Sequence, residues 1–150
     1  MLLSIIILNY KSKGLLKQCL KGILLLHLSF QYEIIVVDNA SNDHCNKMIK
    51  EEFSQVKIIL ASFNRGYAAG NNLGMKIAQG KYVLILNPDI AVLKNSIEQL
   101  IKFMEQHSTA GMVGPKLINP NGSRQFSCFR FPRWYTPILR RTLLGRLPKA

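Results

Sequence analysis

Tyr82-Val83-Leu84-Ile85-Leu86-Asn87-Pro88-Asp89 is an apolar run that ends abruptly in an amide, a proline ring and a carboxylate. A short apolar run bounded by turn signals predicts a fully buried strand, central in its sheet. Proline has no N–H to give a ladder, so the chain leaves the sheet at Pro88. Asn87 and Asp89 then stand at the carboxyl end of the strand, the edge where open α/β sheets bind ligands. Two readings of Asn-Pro-Asp stay open. All three residues favour turns for local reasons. Equally, a carboxylate there is a natural ligand for a hard divalent cation carrying phosphates.

The flanking sequence alternates strand and helix patterns, which argues for βαβ units and a mostly parallel sheet. Leu2 to Leu8 reads as a first strand ending at Asn9-Tyr10, and Leu16, Cys19, Leu20, Ile23, Leu24 and His27 follow with helical spacing. Glu33 to Val37 is a second strand that stops at Asp38-Asn39, and Ser41 or Asn42 is expected to cap the short helix reaching Phe53. Val56 to Leu60 is a third strand. The stretch to Gln79 carries Gly66, Gly70 and Gly74 four apart, each costing about 1 kcal/mol against Ala in a helix. Close approach of another backbone or a ligand is the usual reason. Asn95 and Glu98 form a capping pair for a helix to about His107, and Gly111 to Ile118 is expected to be a further strand.

A chain of 150 residues with 48% hydrophobic content holds one sizeable core. Twenty bases against eight acids give +12, which suggests an anionic partner. No nucleic-acid-binding motif accompanies that charge, so a specific nucleic acid is not expected. All eight acids lie at or before Glu105, and only bases follow. Turn residues cluster at Asn119-Pro120-Asn121-Gly122, dividing a domain of residues 1–118 from a basic segment of residues 119–150. There Trp134-Tyr135, Leu139, Leu143 and Leu144 among Arg140, Arg141 and Arg146 form an amphipathic pattern. It suits either an anionic membrane surface or a packed apolar face. Cys19, Cys45 and Cys128 are dispersed and odd in number, which fits a reducing cytosol and argues against zinc.

If the sheet is parallel, Asn9-Tyr10, Asp38-Asn39, the Asn64 to Asn72 segment and Asn87-Pro88-Asp89 meet at one edge. Together they offer a ring to stack on, amides and a carboxylate for a base and ribose, and a second carboxylate for a metal. Each also has a plainer role open to it: Tyr10 covering the sheet end, Asp38 capping a helix, Asn64, Asn71 and Asn72 satisfying turn backbone, Arg65 in solvent.

These stretches, Ile5 to Tyr10, Ile35 to Asp43, Asn64 to Gly74 and Leu86 to Asp89, resemble the successive motifs of family 2 glycosyltransferases. The likeness covers about residues 2 to 132 and lies nearest the rhamnosyltransferase-like branch of bacterial cell-surface polysaccharide synthesis. It implies a GT-A fold, an α/β Rossmann-like, mostly parallel sheet with helices on both faces. It also implies a UDP- or dTDP-linked sugar donor, Mg²⁺ or Mn²⁺, inversion at the anomeric carbon, and a glycan or polyprenyl-linked acceptor. The setting implied is the cytoplasm, at the inner face of the cell membrane.

By the same resemblance, Asn9 and Tyr10 line the nucleoside pocket, and Asp38 hydrogen-bonds the base with Asn39 nearby. Asn64, Arg65, Gly66 and Asn71 border the ribose and diphosphate. Asn87 stands at the first acid of the family's Asp-x-Asp motif and Asp89 at the metal-binding second. Inversion needs a general base beside the acceptor hydroxyl, which the family supplies from a later half, and this chain has no acid after Glu105. No catalytic residue is therefore assigned. The expectation is a donor-binding half lacking its base and the start of an acceptor-binding half in residues 119–150. The alternative is a non-catalytic nucleotide- or membrane-binding remnant.

Overall fold

The computed structural model describes residues 1–125. Its elements are β1 (Leu3–Asn9), α1 (Lys13–Leu25), β2 (Tyr32–Asp38), α2 (Cys45–Glu52), β3 (Lys57–Leu60), α3 (Gly66–Met75), β4 (Tyr82–Leu86) and α4 (Ser96–Gln106). The chain forms two compact units, Met1–Val113 and Gly114–Ala150, and the second is described as far as Gln125.

The four strands are all parallel, in the order β3-β2-β1-β4. Successive crossovers first step away from β1 through β2 to β3, and the chain then returns to the other side of β1 as β4. A right-handed crossover that reverses its direction must pass over the opposite face. So α1, α2 and α4 share one face, where Leu16, Leu20, Met48, Ile49, Ile97 and Ile101 pack with Ile5, Ile7, Ile34 and Val36. On the other face, α3 lies over Ile6, Leu8 and Val37 with Leu73. This is an α/β fold with helices on both faces, the GT-A architecture. The reversal leaves a crevice between the carboxyl ends of β1 and β4, where open α/β sheets place ligands.

The spaced glycines of α3 are accounted for by that packing. A Cβ on Gly74 would lie 2.6 Å from Ile6 Cγ2, and one on Gly70 would lie 2.5 Å from Leu8 Cδ1. The helix rides directly on the side chains of β1. At the other end of the sheet, buried Ser4 and Glu33 tie the α3–β4 connection down. Glu33 accepts from the Ser4 hydroxyl at 2.6 Å, from Gln79 N–H at 2.7 Å and from the Lys57 ammonium at 2.7 Å. Ser4 Oγ in turn accepts from Gly80 N–H at 2.8 Å. These bonds fix where β4 begins, and hence where Asn87 and Asp89 emerge.

Several expectations are corrected. Strand β4 is an edge of the described sheet, and its burial alternates: Val83 and Ile85 are each 43% exposed, because α3 covers β1 and β2 but not β4. Helix α3 stops at Met75, short of Gln79. His27 has φ 49 and lies past the end of α1. Neither Ser41 nor Asn42 caps α2; Asp43 Oδ1 takes the Cys45 N–H instead. Asn95 does precede α4, but in a left-handed conformation without a side-chain cap. No strand forms over residues 111–118. Pro115 has no N–H for a ladder, and only an Ile118–Arg124 bridge closes the turn at Asn119 to Gly122. The Trp134 to Arg146 pattern lies outside the described residues.

Candidate functional site

Parallel register assigns the side chains at the crevice to faces. Asn9 pairs with Asp38 and points to the α1–α2 side, as Ile7 and Val36 do two residues earlier. Leu8, Tyr10, Asn39 and Asn87 belong to the α3 side. On that side a cavity of about 420 Å³ opens, lined by Tyr10, Asn39, Asn64, Gly66, Asn87 and Asp89. Four separate stretches of sequence therefore supply one wall. A cavity of about 440 Å³ lies between α1 and α2, but Lys17–Glu52 and Lys47–Glu51 pairs border it, which makes it a solvated ionic groove.

The remaining expected residues do not line this cavity. Asn9 is fully buried and its amide is spent inside the protein, on Asp38, Ser41 and Asp43. Asn71 is 2% exposed; its Nδ2 donates to Tyr67 C=O at 3.0 Å, while its Oδ1 has no partner among the described residues. Arg65 is exposed and stacks on Phe63, with 4.4 Å between guanidinium and ring centroid. Asp38 is half-buried at the sheet edge and outside the cavity lining. Its hydrogen bonds from Ser41 N–H, Ser41 Oγ and Asn9 all land on Oδ1. Oδ2 accepts none among the described residues.

The asparagines at the wall build it as well as face it. Asn39 donates to Asn64 Oδ1 at 2.9 Å and accepts from Arg65 N–H at 3.0 Å, while Asn64 Oδ1 also accepts from Gly66 N–H at 2.8 Å. Gly66 takes φ 77, a left-handed conformation that suits glycine. This clamp sets the start of α3: Asn64 Oδ1 takes the Gly66 N–H, and no side chain among the described residues caps the first-turn N–H groups that follow. Such groups with the helix dipole favour an anion.

Sequence reasoning missed Ser12, Leu15, Tyr67 and Leu8, which also line the cavity. Tyr67 is 57% exposed and stands in the first turn of α3, so the cavity carries a second aromatic besides Tyr10. Its position next to Gly66 was the available signal.

Two groups of side chains bear on a cation. Ligating atoms of Asp38, Asp43 and Cys45 lie within 4.8 Å of one another. Asp43, however, already receives Ser41 Oγ, Cys45 N–H, Lys13 N–H and Asn9. The Cys45 thiol, raised to about 12 by burial and then by the charges of Asp38 and Asp43, is not a thiolate. Asp89 fits better. It is exposed at the cavity, and no hydrogen bond or ion pair among the described residues engages it. One carboxylate and the neighbouring Asn87 amide leave most of a coordination sphere to phosphate oxygens and water, as suits Mg²⁺. Among the described residues no helix is long and apolar enough to cross a membrane.

Comparison with known proteins agrees with this architecture. A hexosyltransferase of low-salt glycan biosynthesis, Agl10 of Haloferax volcanii, is 32% identical over 124 residues, 80% of this chain and 38% of that protein. A β-1,3-glucosyltransferase of Escherichia coli, WfgD, which by its name uses UDP-Glc and GlcNAc-diphosphoundecaprenol, is 25% identical over 80% of this chain and 48% of that protein. The chain thus spans less than half the length of either relative. The mannosyltransferase PcManGT of Pyrobaculum calidifontis, solved with GDP-Man and Mn²⁺, shares the fold with a TM-score of 0.62 at 21% identity, over 79% of this chain and 36% of that one. The model of glycosyl transferase family 2 matches residues 4–147, nearly the whole sequence, and the chain belongs to that family.

Proposed function

We propose that these residues form the donor-binding half of an inverting glycosyltransferase, which takes a UDP- or dTDP-linked sugar with Mg²⁺ or Mn²⁺ and serves a glycan or polyprenyl-linked acceptor. The observation that carries this is the cavity at the β1–β4 crevice, where Tyr10, Asn39, Asn64, Gly66, Asn87 and Asp89 converge. Its volume suits a small polar ligand. The family supports the reaction class, and PcManGT's GDP-Man and Mn²⁺ support the donor class.

Each residue then has a chemical task. Tyr10 offers a face for the base. Asp38 Oδ2 accepts the imide N–H of uracil or thymine. The Asn39–Asn64 clamp presents Gly66 and the α3 N–H groups to the diphosphate, with Arg65 nearby in solvent and Asn71 beneath. Asn87 faces the ribose or a metal-bound water, and Asp89 holds the metal. A metal held there would supply positive charge against the diphosphate leaving group. None of the other acids lines this cavity, and no residue is assigned as the base that activates the acceptor. A lipid-linked acceptor, such as WfgD's name prints, supports a setting at the inner membrane face.

Titration calorimetry with UDP and dTDP, with and without Mn²⁺, tests the reading. Binding that Mn²⁺ strengthens and Asp89→Asn weakens is expected. No binding of either nucleotide, with lipid vesicles retained instead, would favour the membrane-binding alternative.

A further inference from the structure

Asp43 lies outside the cavity, yet it receives more hydrogen bonds than any other side chain near the crevice. Oδ2 accepts Lys13 N–H at 3.1 Å and the Asn9 amide at 3.1 Å; Oδ1 accepts Cys45 N–H at 3.1 Å and Ser41 Oγ at 2.9 Å. Lys13 and Cys45 are the first residues of α1 and α2. One carboxylate therefore serves the positive ends of two helices and the last residue of β1. Only donors reach it, so it acts ionised. Burial pushes its pKa up, but bonds from Asn9, Ser41 and Cys45 outweigh that and hold it below 3.8.

The loop so tied is under strain. Ala40, Asn42 and His44 have φ of 59, 53 and 59, conformations that side chains rarely adopt. Such a loop relaxes unless its surroundings over-determine it. The same loop carries Ser41, whose hydroxyl touches both Asp43 and Asp38, and Asn9 bridges the same two carboxylates. The side chain of Asp38 is thus anchored through Oδ1 by groups that Asp43 itself holds.

We propose that Asp43 is a positioning residue for base recognition: it fixes the Ser41 loop and the Asn9 amide so that Asp38 turns Oδ2 toward the ligand. This rests on the donor reading above. The consequence is selective. Uracil and thymine present an imide N–H between two carbonyls, and a fixed carboxylate oxygen accepts it. Cytosine presents an unprotonated ring nitrogen at that place and gains nothing from the same oxygen. Loss of Asp43 should therefore erase discrimination between bases, while the diphosphate and metal contacts continue to bind.

The test is calorimetry of the whole chain with UDP and with CDP in Mn²⁺. The wild type should prefer UDP by about tenfold or more, the scale of one charge-assisted hydrogen bond. Asp43→Asn replaces an acceptor oxygen with a donor amide. It should cost about tenfold in UDP affinity, leave CDP affinity within about twofold, and bring the ratio toward one. Ser41→Ala keeps both helix starts capped and removes the hydroxyl link to Asp38, leaving only the backbone N–H at that position; it should lower the same ratio with a smaller drop in melting temperature. If Asp43→Asn fails to fold by circular dichroism, Ser41→Ala decides alone. A wild-type UDP:CDP ratio preserved in the folded variants, or equal loss of both nucleotides, would overturn the positioning role alone. A wild type that binds neither nucleotide would overturn the donor reading and this proposal with it.

Discussion

Replacing Gly74 with alanine sets helix propensity against packing, and the structure decides the sign. In a helix interior the change stabilises by about 1 kcal/mol, an upper bound at Gly74, the penultimate residue of α3. Here the new Cβ lies 2.6 Å from Ile6 Cγ2 and 3.3 Å from Val37 Cγ2. Both atoms are branches at Cβ of fully buried β-branched residues, with stiff χ1 and central strand backbone behind them. Overpacking of this kind costs about 1–3 kcal/mol. After the propensity gain, Gly74→Ala should be less stable by about 1 kcal/mol, a fall of about 3 °C in melting temperature for a chain of this length. Gly70→Ala is the control. Its Cβ meets Leu8 Cδ1, the far end of a flexible side chain that lines the cavity. Leu8 can rotate, so stability should change by less than about 0.5 kcal/mol, while nucleotide affinity shifts as Leu8 moves into the cavity. Thermal melts of both variants by circular dichroism read the contrast. A Gly74→Ala protein more stable than wild type would refute the claim that close approach of α3 to β1 requires glycine.

Two further changes probe the supports of the site. For Glu33, burial raises the pKa but bonds from Lys57, Ser4 and Gln79 N–H prevail, so the folded value lies below the ordinary 4.5. Its contribution is then complete above pH 4.5 and is lost as pH falls through the folded value. Glu33→Gln should cost about 2 kcal/mol at pH 7 and progressively less below pH 4.5 in urea melts; a pH-independent cost would contradict the ionised network. Asn39→Ala frees Arg65 N–H and the Asn64 amide, and UDP affinity should fall about tenfold in calorimetry with little change at Asp89.

Much of this was legible in the sequence, for a physical reason. The apolar runs of β1 and β2 and the helical spacing of Leu16, Leu20 and Ile23 report burial that composition alone imposes. The parallel sheet followed from their alternation, and with it the meeting of Tyr10, Asn39, Asn64, Asn87 and Asp89 at one edge. Position within the sheet was not legible. Val83 and Ile85 are as apolar as Ile5 and Ile7, but nothing local says that α3 stops short of covering β4. The strain at Ala40, Asn42 and His44 was also hidden, since none is a glycine, and so the helix start moved beyond Ser41 and Asp43 became its cap. The face assignment was the subtler loss. Asn9 and Asp38 sit in motifs beside Tyr10 and Asn39, yet a two-residue period sends alternate side chains to opposite faces. Neighbours in sequence thus divide between wall and scaffold.

The placement of the acids bears on catalysis more sharply than their number. Glu33 is buried at the amino end of the sheet, and Asp43 is enclosed by donors. Glu51, Glu52 and Glu105 pair with Lys47, Lys17 and Lys81 on the surface. Glu98 lies in the first turn of α4. Asp38 keeps one open oxygen, and Asp89 alone lines the cavity. If Asp89 holds the metal, its charge is committed to the leaving group, and a base must stand beside the acceptor hydroxyl, across the anomeric carbon from the diphosphate, to take its proton. An inverting transfer without that base loses about 10²–10⁴ in rate. The chain should therefore bind a UDP-sugar with Mn²⁺ yet release no UDP above background when a polyprenyl-linked acceptor is added, as followed by a coupled UDP assay. Acceptor-dependent release that Asp89→Asn abolishes would show that one of these eight acids, or a non-carboxylate group, serves as the base.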